Sequence, residues 1–146
     1  VNKHTILVDI DFKPETKKRL IKLAEDYAWK MYFVSTSLNL KFDSTEVLET
    51  KKGFHFYHNV ISERPLTPLE IIIIQLALGS DYKREVFNLR RARAWLDGEE
   101  LEDGWNTLFK YKYKKGKLVS NEYKTDSTEI LNSYISVRYN KLMGGG

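Results

Sequence analysis

Cysteine is absent from the sequence, which excludes a disulfide framework and any thiolate zinc site and suits a reducing compartment. Long apolar runs are missing too. The longest, Ile71-Ile72-Ile73-Ile74, is cut by Gln75 and falls far short of the roughly 20 residues that span a bilayer. The opening Val1-Asn2-Lys3-His4 lacks the basic-then-apolar layout of a secretory signal. The expectation is a cytoplasmic protein with no membrane attachment. Gln75 is the lone glutamine, in a chain whose charged residues reach 30%. That balance suits a heat-adapted source, although eight asparagines weigh against it.

What is present fits one domain. A chain of 146 residues can bury a substantial core. The expected layout is a single α/β domain over 1–143, with a motif-bearing core at 4–97, a C-terminal hairpin and helix at 105–143, and a flexible tail at 144–146. The net charge of +4 and pI near 9.1 lean toward polyanionic partners. Eight Lys/Arg balance eight Asp/Glu from Val1 to Thr50. The excess positive charge collects at Lys83 to Arg93 and Lys110 to Lys124.

Thr5 to Phe12 alternates as a strand, with Asp9 and Asp11 on one face and Val8 and Ile10 on the other. Pro14 suits a helix start, and Leu20, Leu23, Ala24, Tyr27, Ala28 and Met31 recur at three and four. This predicts an amphipathic helix from Glu15 to about Phe33. Phe33 to Phe42 reads as one or two short strands. Glu46 to Thr50 and Phe54 to Ile61 read as a hairpin across Lys51-Lys52-Gly53. Thr67, Pro68 and Glu70 spell a capping box for a helix to about Leu78. Gly79 stops it, and Ser80 or Asp81 caps another helix to about Leu96. Asn106 to Tyr123 reads as a second hairpin turning at Lys115-Gly116, its aromatics expected in the core and its lysines outside. Ser127 to Met143 reads as a helix with Ile130, Leu131, Tyr134, Val137 and Leu142 as core contacts. The fold class is α+β: a central mixed or antiparallel sheet, helices on one side, and the C-terminal hairpin and helix as an addition.

Four constellations carry chemistry. Asp9 and Asp11, one strand period apart, lie about 6.5–7 Å from each other along the backbone, within reach of one hard cation or a pair. Alternatively, one faces water and the other caps the following helix. The second is Lys51-Lys52-Gly53-Phe54-His55, where glycine admits close approach of a ligand and His55 shares a face with Tyr57 and Asn59. An ordinary hairpin with a half-buried histidine reads the same way. His58 points to the opposite face, as a structural or surface residue, and His4 lies at a frayed start. The third is the helix with Arg84, Arg90 and Arg91, suited to phosphate or to water. The fourth is the Lys110 to Lys115 strand, where Lys112 faces a nucleic-acid backbone or simply protects an edge.

The Asp-x-Asp strand in ILVDIDF, followed by a helix and then the basic Gly-aromatic-His strand in ETKKGFHFY, resembles the archaeo-eukaryotic primase superfamily. The resemblance covers about Thr5 to Ile61 and implies an RRM-like, primase-like central sheet. It implies Asp9 and Asp11 as ligands of Mg²⁺ or Mn²⁺, possible as a two-metal site, and His55 on nucleotide phosphates. Lys51, Lys52, Arg84, Arg90, Arg91 and Lys112 would bind nucleotide or nucleic acid. The family's third acid falls best on Asp81, with Asp97 and Asp43 as fallbacks. DNA or RNA, nucleotides and a replication protein are the implied partners. An archaeal virus or plasmid is the implied source, which would put the protein in the host cytoplasm. The leading expectation is a DNA primase or polymerase acting by nucleotidyl transfer. The second is a catalytically inactive DNA-binding replication accessory. The third is a metal-dependent nuclease, from Asp43 with Glu49-Thr50-Lys51.

Overall fold

The structure is a computed structural model, and it describes residues 1–144. The chain is α+β. Its strands are β1 (Asn2–Ile10), β2 (Leu40–Glu49), β3 (Phe54–Ser62), β4 (Tyr111–Lys114) and β5 (Lys117–Ser120). Its helices are α1 (Lys17–Leu38), α2 (Pro68–Ala77), α3 (Tyr82–Leu96) and α4 (Asp126–Met143). Both sheets are antiparallel, a three-stranded one in the order β1-β3-β2 and a two-stranded one of β4 and β5. No helix among the described residues is long and apolar enough to cross a membrane.

Alternation along β3 divides the main sheet into two faces. Phe54, Phe56, His58 and Val60 turn inward with Ile6, Val8 and Ile10 of β1 and Phe42 and Val47 of β2. Against them α1 lays Leu20, Ala24, Tyr27, Ala28 and Met31, the stripe expected from its spacing. Tyr27 stacks on Phe56 with ring centroids 4.3 Å apart. The second face of β3 carries His55, Tyr57 and Asn59.

Two expectations need correction. Phe33 to Leu38 is helix, not strand, because Val34 and Ser35 extend the buried stripe of α1 by another turn. The helix stops at Asn39, whose φ of 52° is the left-handed cap that asparagine tolerates. The C-terminal helix is no addition. Leu131, Ile135 and Tyr139 of α4 are buried against α1 and β2, while Tyr134 and Val137 face outward. The Tyr139 hydroxyl lies 2.9 Å from Ser35 Oγ and accepts the Phe42 N–H. α2 buries Ile71 and Ile74 in the core shared with α1, and with α3 it also reaches the free edge of β1. The α2 capping box stands as expected, with Thr67 accepting from the Glu70 N–H and Glu70 from the Thr67 N–H. Of the tail, Gly144 is the C-cap of α4, and Gly145 and Gly146 lie outside the described residues.

Candidate functional site

An edge strand leaves a row of backbone groups without a neighbour. On β1 Lys3, Thr5, Leu7 and Asp9 turn these outward, and polar groups of α2, α3 and their connection satisfy those of Leu7 and Asp9. Gln75 Oε1 accepts the Leu7 N–H at 2.9 Å, and Arg84 donates to the Leu7 carbonyl at 3.1 Å. Ser80 Oγ accepts the Asp9 N–H at 3.1 Å, and the Asp81 N–H donates to the Asp9 carbonyl at 2.7 Å. Buried Glu85 ties the set together, accepting from Gln75, Ser80, Arg84 and Asn88. An unpaired buried carboxylate is costly, and four donors offset that cost. Because Leu7 and Asp9 bond outward, their pairs with Tyr57 and His55 on β3 are of the narrow, non-hydrogen-bonded kind, which brings side chains closest.

That register sets Asp9 against His55, with Nε2 to Oδ1 at 3.6 Å. The other ring nitrogen, Nδ1, donates to Glu122 at 2.8 Å. The Tyr57 hydroxyl donates to the same Glu122 oxygen. Burial and then Glu122 raise the Tyr57 phenol, so it stays a donor. Glu122 thus fixes the plane and tautomer of His55 and leaves Nε2 for Asp9 or a ligand. Burial is the largest influence on Asp9 and holds its carboxyl above the usual range. His55 and Arg84 oppose that, and Asp11 and Asp81 add to it.

Asp11 lies beyond the end of β1 and is exposed. With Asp9, His55, Lys51, Lys52 and Lys112 it lines a cleft of about 200 Å³, so the structure brings these predicted residues together. Gly53 is essential here for a reason other than the expected one. A Cβ on it would lie 1.7 Å from the Ile10 carbonyl oxygen. The close approach is that of the β1 backbone, not of a ligand, and it holds the two motifs side by side.

Asp81 is the N-cap of α3, as its position predicts, but its side chain makes no cap bond. With Asp9, Arg84, Arg90 and Arg91 it lines a second cavity of about 400 Å³, beside the first. Arg84 is spoken for by the protein: besides Leu7 and Glu85 it donates to the Thr107 carbonyl and to Asn106 Oδ1. Arg91 donates to the Gly104 carbonyl at 3.2 Å. Arg90 is exposed and lies over the Phe87 ring, 5.8 Å from its centroid.

The nuclease set is dispersed. Six residue steps along the strand separate Asp43 from Glu49 by roughly 20 Å. Glu49 bonds Lys13 at 2.8 Å and accepts from Thr125 at 2.7 Å; these bonds outweigh burial and lower its carboxyl. The Lys110 to Lys115 strand also departs from expectation. Its aromatics are not in the core: Phe109 is 81% exposed and Tyr113 77%. The backbone bridge from Glu49 to Tyr123 and the Glu122 side chain on His55 and Tyr57 tie the end of this segment to the main sheet, while β4 and β5 pair only with each other. His58 is structural, buried between the Tyr27 hydroxyl at 2.7 Å and the Thr45 hydroxyl at 2.8 Å, and burial lowers it to about 3. His4 accepts the Leu66 N–H at 3.0 Å and so anchors the approach to α2.

Asp9 and Asp11 are the residues that could hold a divalent ion. Among the described residues, no three His, Cys, Asp or Glu side chains are grouped to hold one unaided. A donor set of two carboxylates fits magnesium or manganese, which keep several positions for water and substrate phosphate. Repulsion of Asp9 by Asp11 and Asp81 is the electrostatic condition a cation relieves. Sequence reasoning missed Glu122 and the Gln75–Glu85 clamp. For Gln75 a signal existed: a lone amide inside an isoleucine run must bury with a partner. Compared with protein-family models, curated proteins and solved structures, the chain matches none.

Proposed function

We propose that this chain is a primase-polymerase-like domain that joins nucleotides by metal-dependent nucleotidyl transfer in the Asp9–His55 cleft. One observation carries the reading: two acids, an oriented histidine and three lysines from separated segments converge on one small cleft. When bound at Asp9 and Asp11, Mg²⁺ or Mn²⁺ supplies charge neutralisation for attack of a 3′-hydroxyl on an α-phosphate. His55, fixed by Glu122 at Nδ1, presents Nε2 to a nucleotide phosphate. Lys51, Lys52 and Lys112 hold further phosphate charge. Arg84 acts through structure, fixing the β1 backbone and the Asn106–Thr107 segment. Asp81 adds negative charge beside Asp9, and Arg90 and Arg91 face a polyanion passing along α3.

The test is incorporation of labelled nucleotides on a primed and an unprimed template with Mn²⁺ or Mg²⁺. Metal-dependent extension should occur and be lost in Asp9→Ala and Asp11→Ala. Binding of template without extension, in the wild type at any metal concentration, would favour a non-catalytic replication accessory. The exposed aromatic and lysine side chains of the β4–β5 hairpin favour that second reading, because they suit binding whether or not chemistry follows. Asp43 and Glu49, far apart on β2, leave the nuclease reading with the least support.

A further inference from the structure

The β4–β5 hairpin is built with care and left outside the core. Lys115 and Gly116 both have positive φ, 51° and 76°, the turn whose twist suits a two-residue hairpin. Its register sets Tyr111 opposite Ser120 and Tyr113 opposite Leu118 on one face. Lys112 opposite Val119 and Lys114 opposite Lys117 form the other. A lone two-stranded hairpin is marginal in water. This one also exposes Tyr111 at 59%, Tyr113 at 77% and Leu118 at 59%, and sets two lysines directly against each other. Like charges facing across strands destabilise the pair. A polyanion would remove that repulsion, and bases would cover the rings.

We propose that the hairpin is an arm that binds single-stranded nucleic acid, with bases stacking on Phe109, Tyr111 and Tyr113 and phosphates drawn to Lys112, Lys114 and Lys117. The proposal rests on the reading of the neighbouring cleft as a nucleic-acid site, and it names the form of the strand that site receives. Same-face residues on a strand stand about 6.5–7 Å apart. A base slotted between two rings needs about twice the 3.4 Å nucleotide step, so the spacing of Tyr111 and Tyr113 admits one. The ribbon is only two strands wide, and long lysine stems carry their charge past its edge. Phe109 and Lys112 both line the cleft that holds Asp9 and His55. Phe109 thus belongs both to the stacking run and to that cleft, and a strand on the arm meets the cleft there. Bases locked in a duplex cannot insert between the rings, which makes the arm selective for single strands.

The test is fluorescence anisotropy of labelled oligo(dT), oligo(rU) and a duplex of equal length, titrated across salt concentrations. Single strands of one or both chemistries should bind more tightly than the duplex. Tyr111→Ala with Tyr113→Ala should weaken binding about tenfold or more, with the salt slope kept. Tyr111→Phe with Tyr113→Phe should restore it, which separates stacking from loss of fold. Lys112→Ala with Lys114→Ala and Lys117→Ala should flatten the salt slope by up to about 2. Equal binding of duplex and single strand, or no loss in the double alanine variant, overturns the arm. If nucleotides are never incorporated while this stacking-dependent binding holds, the catalytic reading fails and the arm stands. If incorporation proceeds while the double alanine variant binds as the wild type does, the arm alone fails.

Discussion

His55 and His58 sit three residues apart on β3, and both are almost wholly buried, at 4% and 1% exposure. They differ in partners. His58 lies between two hydroxyls, from Tyr27 and Thr45, under the helices. His55 lies between two carboxylates, from Glu122 and Asp9, on the face away from them. Burial alone does not make a histidine structural or functional. Hydroxyls suit a neutral ring and hold it in the core, whereas a carboxylate accepts from a ring nitrogen and sets which way the other one points. One strand thus builds a face of hydroxyl partners and a face of carboxylate partners by alternation alone.

Breaking the face of hydroxyl partners should have the largest effect. Phe56→Ala removes a fully buried ring stacked on Tyr27. It should cost about 3–5 kcal/mol, read by denaturant unfolding. Next comes the carboxylate-bearing face. Glu122→Gln keeps the shape of the side chain but removes the charge that orients His55. Nucleotide incorporation should fall roughly 10- to 100-fold, by analogy with the loss of a histidine's outer partner. The melting temperature should change little. A third measurement reads His58 directly. Its folded value is lowered to about 3 from 6.5, so below pH 6.5 the unfolded chain takes up a proton that the folded chain refuses. Stability should fall with acidity by about 1.4 kcal/mol per pH unit from this group, above pH 3. His58→Gln should reduce that slope, as pH-dependent urea melts would reveal. The smallest effect is at Asp9, whose carboxyl is raised by burial. A raised carboxyl favours folding below its unfolded value of 3.8 and loses that contribution as pH rises through the folded value. Asp9→Asn should therefore melt slightly higher at neutral pH, with the gain vanishing below pH 4, even as activity is lost.

Local physics was legible in the sequence. The α2 capping box needs only four residues, and Thr67 and Glu70 reveal it. Strand alternation put Asp9 and Asp11 on one face, and put His55 on the opposite face from His58. What stayed hidden depends on distant chain. Glu122 reaches His55 across 67 residues, and nothing beside it in sequence marks it. Arg84 and Glu85 read as a solvated or phosphate-binding helix face because their partners, on β1 and in the Asn106–Thr107 segment, are tertiary. Tyr111 and Tyr113 read as core because alternation says which residues share a face, not whether anything covers it. The extra turn of α1 was masked by β-branched and aromatic residues, whose weak strand preference yields to packing.

Sealing the margin of β1 with Gln75, Ser80, Asp81 and Arg84 has a consequence for how copies of this chain behave together. A sheet with a bare margin recruits strands from its neighbours, the first step toward stacked aggregates. Here α2 and α3 occupy the positions a fourth strand would take, through side chains and one backbone N–H rather than a ladder. The opposite margin, β2, is guarded differently, by the irregularity between Phe42 and Ser44 and by exposed Lys41, Asp43 and Glu46. The two guards protect the two margins of the three-stranded sheet by different means, one with helices and the other with a bulge and charge.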